Sequence, residues 1–347
     1  MSYERDLAEM KGQIDRSLSE FFQEKLSSVH DALTARVVGM IRDFTLNGGK
    51  RLRPIISILG HNIFEHEDGR MLKASLALEL AQSYLLIHDD IMDESDMRRG
   101  RPTVHVEAGN IYASNPRRQK LGENIGIVAG DLAECYAHEV LMGSGFPPER
   151  LVRAGAELSS IIETTGYGQV LDIHSSHMEE FCQSDLMRLH LWKTSRYTVQ
   201  GPLSFGSLLA GRDMDRNLSY YGYLAGVAFQ LHDDILGLFG NQEVTGKPVR
   251  SDVVEGKKTL LILKAMEMSG ESERKFIQSV LGNPGVTDDD LMRLRDIVVD
   301  SGSYQYSLDM MERLVSRAKE YLSRVPGDES AKDFLSWLAD FMVRRSR

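Results

Sequence analysis

Apolar residues recur at steps of three and four along nearly the whole of this 347-residue chain. Between 71 and 87, Leu72, Leu76, Leu80, Tyr84 and Ile87 mark one helical stripe, and 151–173, 185–210 and 217–239 follow the same period. No stretch alternates apolar and polar residues between turn signals as a strand would. The breaks are short: Asn47-Gly48-Gly49, Gly100-Arg101-Pro102, Gly143–Pro148, Gly201-Pro202, Gly240–Pro248, Gly282–Pro284 and Pro326-Gly327. None has the length of an interdomain linker. The expectation is an all-α chain, folded over residues 1–347 as a single large helical bundle around a central cavity. The polar, basic segment Asn110–Lys120 is expected to be an exposed loop.

The tetrapeptide His-Asp-Asp-Ile occurs twice, at His88–Ile91 and His232–Ile235, each time after an apolar helical run. Adjacent carboxylates at the end of an apolar helix repel each other and are costly to bury unpaired. Two such clusters call for a cation. Magnesium suits them, because it takes hard oxygen ligands and bridges carboxylates to phosphate. In the first cluster Asp89 and Asp93 stand at i and i+4 and project from one helix face. In the second, the position four after Asp233 is Gly237, so this cluster is expected to offer one ligand fewer. Either cluster alone reads equally well as a solvated acidic helix end; the pair favours metal.

Basic residues accompany the acids. Lys50, Arg51 and Arg53 follow the Gly48-Gly49 pair, and Lys50 and Arg53, at i and i+3, are expected to share a helix face. Arg98-Arg99-Gly100-Arg101 follows the first acidic cluster; Lys193 and Lys247 flank the second. Arginine forks match phosphate oxygens and lysine supplies a compact charge. Any one of these reads as ordinary surface charge, but together with the acids they imply a polyanionic ligand. The Gly-Gly-Lys stretch lacks the Walker pattern, and Gly166-Tyr167-Gly168 lacks the third glycine of a dinucleotide fingerprint. A net charge of −10 argues against nucleic acid as a partner. No apolar run approaches a membrane span. Cys135 and Cys182 have no zinc-ligand spacing and fit a reducing compartment. The charged start, Met1 to Asp6, has no apolar signal region, so the expected location is the cytoplasm.

In combination and order, these motifs resemble a known family. They are Gly-Gly-Lys50-Arg51-Leu-Arg53-Pro, Asp89-Asp90-Ile-Met-Asp93 with Arg98-Arg99-Gly, Gly-Gln169-Val-Leu-Asp172, Lys193-Thr194, Gln230-Leu-His-Asp233-Asp234, Gly-Lys247-Pro, then Asp252 and Lys257. From about Gly48 to Lys258 the chain resembles the trans-isoprenyl diphosphate synthases, or polyprenyl synthetases, closest in pattern to geranylgeranyl and farnesyl diphosphate synthases. The resemblance implies an all-α isoprenoid synthase fold, a homodimer, and condensation of isopentenyl diphosphate with an allylic diphosphate (dimethylallyl, geranyl or farnesyl). It implies several magnesium ions, or manganese, held by Asp89, Asp93 and Asp233 with Asp90 and Asp234 in support. Arg98, Lys193 and Lys247 would hold the allylic diphosphate. Lys50, Arg53, Gln82 and Arg99 would bind isopentenyl diphosphate, and Lys257 is counted with the substrate-binding residues. Thr194 and Gln230 would face the allylic cation. Product length would be set along the helix preceding Asp89, by Tyr84, Leu85 and Ala81. An aromatic at the fifth position before the motif but leucine at the fourth implies a C20 product, with C15 as the alternative. Two remoter readings are a class I terpene cyclase and a non-catalytic regulatory subunit. The second acidic motif does not fit the former, and the retained aspartates argue against the latter.

Overall fold

The computed structural model describes residues 3–66, 69–175, 178, 180–240 and 250–344. In chain order, α1 (Tyr3–Ser28), α2 (Ala32–Leu46), α3 (Leu52–Asn62) and α4 (Arg70–Met92) lead to a small antiparallel ribbon. Its strands are β1 (Met97–Arg98) and β2 (Arg101–Pro102). Then come α5 (Val104–Gly109), a 3₁₀ turn (Asn110–Tyr112), α6 (Arg118–Met142), α7 (Pro148–Ser175) and α8 (Gln183–Leu189). A π-helical segment, His190–Gln200, runs directly into α9 (Gly201–Leu209). After α10 (Arg216–Phe239) follow α11 (Ser251–Val254), α12 (Leu260–Met268), α13 (Glu271–Val280), α14 (Asp288–Asp300), α15 (Ser303–Leu322) and α16 (Glu329–Val343). The all-α expectation is met.

The chain divides into two compact units. One comprises Met1–Ile162, Pro202–Asp213 and Gly327–Ala331; the other comprises Glu163–Gly201, Met214–Pro326 and Lys332–Arg347. Helix starts follow from capping chemistry. Asp31 accepts from the Thr34 amide ahead of α2, Asp215 accepts from the Asn217 and Leu218 amides ahead of α10, and Thr287 and Asp290 form a reciprocal box on α14. Such caps contribute about 1 kcal/mol each.

Two expectations change. Gly201-Pro202 does not break the helix: the π-helical winding runs into it without a gap, and the Gly201 amide still donates to the Arg196 carbonyl. The Asn110–Lys120 segment is exposed, but it is a 3₁₀ turn, a short bend and the first residues of α6 rather than a loop.

In the first unit, α6 packs on α4 and α5 through a glycine ladder, Gly122, Gly126 and Gly130, spaced one turn apart. A Cβ at Gly122 would lie closer than 3.0 Å to the His105 carbonyl and to the Gly109 backbone. One at Gly126 would press on Ile91, and one at Gly130 would enter the His88 ring. Along this seam the α6 backbone therefore meets backbone at Gly122 and side chains at Gly126 and Gly130. Buried Met71, Leu78, Leu80 and Ile87 fill the rest of α4's inner faces. In the second unit, the fully buried Tyr221 of α10 donates its hydroxyl to the Leu335 carbonyl of α16 at 2.7 Å, satisfying its one polar group inside an apolar core.

Gly122→Ala is expected to destabilise by about 1–3 kcal/mol, since a backbone carbonyl cannot yield as a side chain can. Gly166→Ala, on α7 with nothing within 4 Å of the added carbon, is expected to be neutral or to stabilise by up to about 1 kcal/mol. Urea unfolding of both variants checks the contrast.

Candidate active site

In the first unit the acidic cluster closes α4. Asp93 is its C-cap, and the Asp93 amide still donates to the Asp89 carbonyl at 2.8 Å. The two carboxylates thus keep helical spacing on one face. They sit where the helix dipole is negative, which adds to their mutual repulsion and favours a cation. Asp89 and Asp93 are partly exposed, whereas Asp90 is buried. The inner carboxylate is matched by Arg98, whose Nε donates to Asp90 Oδ1 at 2.7 Å and whose Nη2 reaches Asp89 Oδ2 at 3.4 Å. Burial alone would lower the Arg98 pKa, but Asp90, Asp89 and Asp93 outweigh it and hold it above the usual value. His88 anchors the helix end from the other side: Nε2 meets the Ile127 carbonyl at 2.9 Å, in the space left by Gly130. A carbonyl only accepts, so Nε2 carries the proton.

Arg99 and Gly100 both have positive φ, making the tight turn between β1 and β2. The turn sets Arg99 against the Gly48-Gly49 loop, where it donates to the Asn47 carbonyl at 3.1 Å. Desolvation of the guanidinium, then the charges of Arg51, Arg98 and Arg53, lower the Arg99 pKa, although the residue as a whole reaches solvent. This cationic group has the composition of an anion site.

Lys50 and Arg53 do not share a helix face. Helix α3 begins at Leu52, Lys50 is exposed ahead of it, and Arg51 is held in the left-handed region at φ 52°. That conformation is costly for a residue with a Cβ and persists only where its surroundings impose it. Here Arg51 is buried, with Nε on Asp15 Oδ1 at 2.7 Å and Nη1 on Glu79 Oε1 at 2.5 Å. Burial opposes the Arg51 charge, but Glu79 and Asp15 hold its pKa above the usual value. Arg51 therefore locks the turn that presents Lys50 and Arg53. The sequence carried a trace of this in Glu79, a lone charge inside the apolar run Leu78-Glu79-Leu80.

Along α4, Ala81, Leu85 and Asp89 form one stripe; Ala81 is buried and Leu85 partly exposed. Tyr84 is half-buried and packs edge-on against His88, 4.9 Å between ring centres. Burial, then Glu134 and Asp131 of α6, raises its pKa. Gln82 is partly exposed.

In the second unit the π-helical segment carries Lys193 and Thr194. Its wide turns come closer to neighbouring helices than a Cβ permits: carbons added at Gly222 and Gly226 of α10 and Gly168 of α7 would meet Gln200, Ser195 and the Lys193 backbone. π-helices concentrate at functional sites. Gly168 thus has a packing role, which its spacing alone did not reveal. Lys193 pairs with Asp172, and Thr194 Oγ1 donates to Gln230 Oε1 at 2.5 Å. Gln230 Nε2 in turn donates to Asp234 Oδ1 at 2.7 Å, while His190 Nε2 lies 3.2 Å from Asp234 Oδ2. Asp234 is buried among these partners and Asp233 is exposed. The second motif repeats the first: one carboxylate outward, its neighbour inward and matched. His190, three residues before Lys193, was not singled out from sequence. Lys257 contacts Asp252 at 3.1 Å and Glu255 at 2.6 Å. Burial would lower its pKa, but Asp252, Glu255 and Asp172 hold it well above the usual value. Lys247 lies outside the described residues.

The outward donors are all hard carboxylate oxygens, which fits magnesium rather than a soft metal. Among the described residues no three His, Cys, Asp or Glu side chains converge to hold an ion unaided. Magnesium commonly completes its shell with water and phosphate oxygens.

The polyprenyl synthetase family profile matches residues 35–298. A geranylgeranyl diphosphate synthase of Sulfolobus acidocaldarius is 33% identical over 340 residues, covering 94% of this chain and 98% of its own. A geranylfarnesyl diphosphate synthase of Aeropyrum pernix is 33% identical over 336 residues, covering 94% and 99%. A geranylgeranyl pyrophosphate synthase structure from Corynebacterium glutamicum, complexed with isoprenyl diphosphate and magnesium, matches with a TM-score of 0.91 at 28% identity, over 98% of this chain and 99% of that one. Fold and relatives define an all-helical enzyme of the trans-prenyltransferase class. The chain belongs to the polyprenyl synthetase family.

Glu79→Ala is expected to cost about 3–5 kcal/mol, because it leaves the Arg51 guanidinium buried without its main counter-charge. Thermal and denaturant unfolding measure this directly.

Proposed function

We propose that this protein condenses isopentenyl diphosphate head to tail with an allylic diphosphate, and that geranylgeranyl diphosphate (C20) is the product. The observation that carries the reading is the shared layout of the two acidic motifs, each with an outward carboxylate beside a matched inward one. Asp89, Asp93 and Asp233 would hold magnesium ions, with manganese as a substitute. Bound there, the ions would neutralise charge on the leaving diphosphate as the allylic C–O bond breaks.

Asp90 and Asp234 act by fixing the helix ends, through Arg98 and through Gln230 and His190. Arg98, Lys193 and Lys247 bind the allylic diphosphate; Lys50, Arg53, Gln82 and Arg99 bind isopentenyl diphosphate; Lys257 supports the site. Fixed cations aimed at the developing charge need no reorganisation when the bond breaks. The electron pair of the C–O bond leaves with diphosphate. The double bond of isopentenyl diphosphate then attacks the allylic carbon, and the departing diphosphate takes the proton released. Thr194 and Gln230, already bonded to each other, present oxygen to the cation. The whole chain, residues 1–347, works as one catalytic domain.

Leucine rather than an aromatic at the fourth position before Asp89, with the small Ala81 one turn earlier on the same stripe and Tyr84 beside it, supports the C20 product. C15 is the shorter alternative, and the Aeropyrum pernix relative, named for a C25 product, marks the longer one. We infer a homodimer: Ile127, Val128 and Met142 of α6 are exposed apolar side chains in the first unit, and Tyr167, Val170 and Ile173 of α7 in the second. A cytoplasmic location fits the two free cysteines. No described helix is long and apolar enough to cross a membrane.

Incubation with magnesium, isopentenyl diphosphate and, separately, dimethylallyl, geranyl and farnesyl diphosphates is expected to yield a C20 alcohol after dephosphorylation. Product stopping at C15 places the floor at Tyr84. A cyclic hydrocarbon formed without isopentenyl diphosphate points to a cyclase, and no product with any primer to a regulatory subunit. Asp93→Ala is expected to lower kcat on the order of 10²–10³-fold with the fold intact. Tyr84→Ala is expected to lengthen the product; an unchanged chromatogram removes Tyr84 from the chain-length floor.

A further inference from the structure

The second acidic motif has glycine where the first has its third aspartate, yet the place is filled. Gly237 stands one turn after Asp233 on α10, so a side chain there shares a face with Asp233. A Cβ built at Gly237 would lie closer than 3.0 Å to Asp252 Oδ2, with Asp252 Cγ 3.2 Å away. An aspartate at 237 would carry its own carboxyl group into this same space. Asp252 reaches it from α11, a separate segment of the chain.

Asp252 is held to this position. Its carbonyl accepts from the Lys257 amide at 2.9 Å across a turn in which Gly256 has φ 72°. The next residue, Val253, accepts from the Gly282 amide at 2.8 Å. Of the two carboxylate oxygens, Oδ1 takes the Lys257 ammonium at 3.1 Å and Oδ2 is the one turned to Gly237. Lys257 thereby acts as a positioning residue that aims the other oxygen.

We propose that Asp252 supplies, from another segment, the third carboxylate of the second acidic motif, pairing with Asp233 in metal binding as Asp93 pairs with Asp89. Gly237 is then required because any side chain evicts that carboxylate. The loss of a ligand expected from the glycine is made good through space. This inference rests on the metal reading of the proposed function.

The test uses the full-length protein, manganese(II) and inorganic diphosphate, with free manganese counted by electron paramagnetic resonance and the fold checked by thermal unfolding. Wild-type protein that binds no manganese refutes the metal reading itself; the remaining comparisons address Asp252. Gly237→Ala changes no charge and displaces the Asp252 carboxylate, and Asp252→Asn removes the charge at constant size. Both are expected to weaken manganese binding on the order of tenfold. Gly237→Asp combined with Asp252→Ala returns a carboxylate to the vacated space and is expected to recover most of the affinity. Wild-type affinity in folded Gly237→Ala and Asp252→Asn overturns the proposal. A double variant that folds but binds no better than Asp252→Asn overturns it equally.

Discussion

Contacts closer than ordinary side chains allow hold the site-bearing helices in place. Along the seam of α6 with α4 and α5, glycine replaces side chain wherever the neighbour presents a carbonyl, a ring or a methyl group. A helix carrying repelling carboxylates at its dipole-negative end would fray if it depended only on its own hydrogen bonds. Here the last turn of α4 is clamped by His88 on the Ile127 carbonyl and by Arg98 on Asp90. The π-helical segment is clamped likewise, by its approach to Gly168, Gly222 and Gly226. Dense packing at these points keeps the charged groups from relaxing away from one another.

The electrostatics follow a single plan in both units. Inward charges are matched at short range, Asp90 by Arg98, Asp234 by Gln230 and His190, Arg51 by Glu79 and Asp15. Breaking any of these leaves a buried charge, so they set conformation more than they add stability. The outward carboxylates reach solvent, where strong water screening makes their charge cheap to keep.

Much of this was legible in the residues. Helical periodicity gave the fold class, and the duplicated His-Asp-Asp-Ile gave both acidic helix ends, because i, i+4 geometry translates directly from sequence. The motif series gave the family. What escaped was whatever depends on three-dimensional neighbours. The left-handed Arg51 is invisible without Asp15 and Glu79, which lie 36 and 28 residues away in sequence. The π winding has no signature in residue type, so 185–210 reads as an ordinary helical stretch. Gly237 reads as a missing ligand because the carboxylate beside it comes from Asp252.

The π-helical segment also fixes how this stretch of chain can vary in length. It holds more residues per turn than an α-helix, and glycines on two helices have given up their side chains to receive it. Removing one residue between His190 and Gln200 would let the segment rewind as α-helix. Everything before the deletion would then turn by about 100° against everything after it. Lys193 and Thr194 would swing away from Asp172 and Gln230, and a narrower cylinder would rattle in a groove cut for a wider one. The eleven residues behave as a fixed-length spacer, intolerant of a change in count.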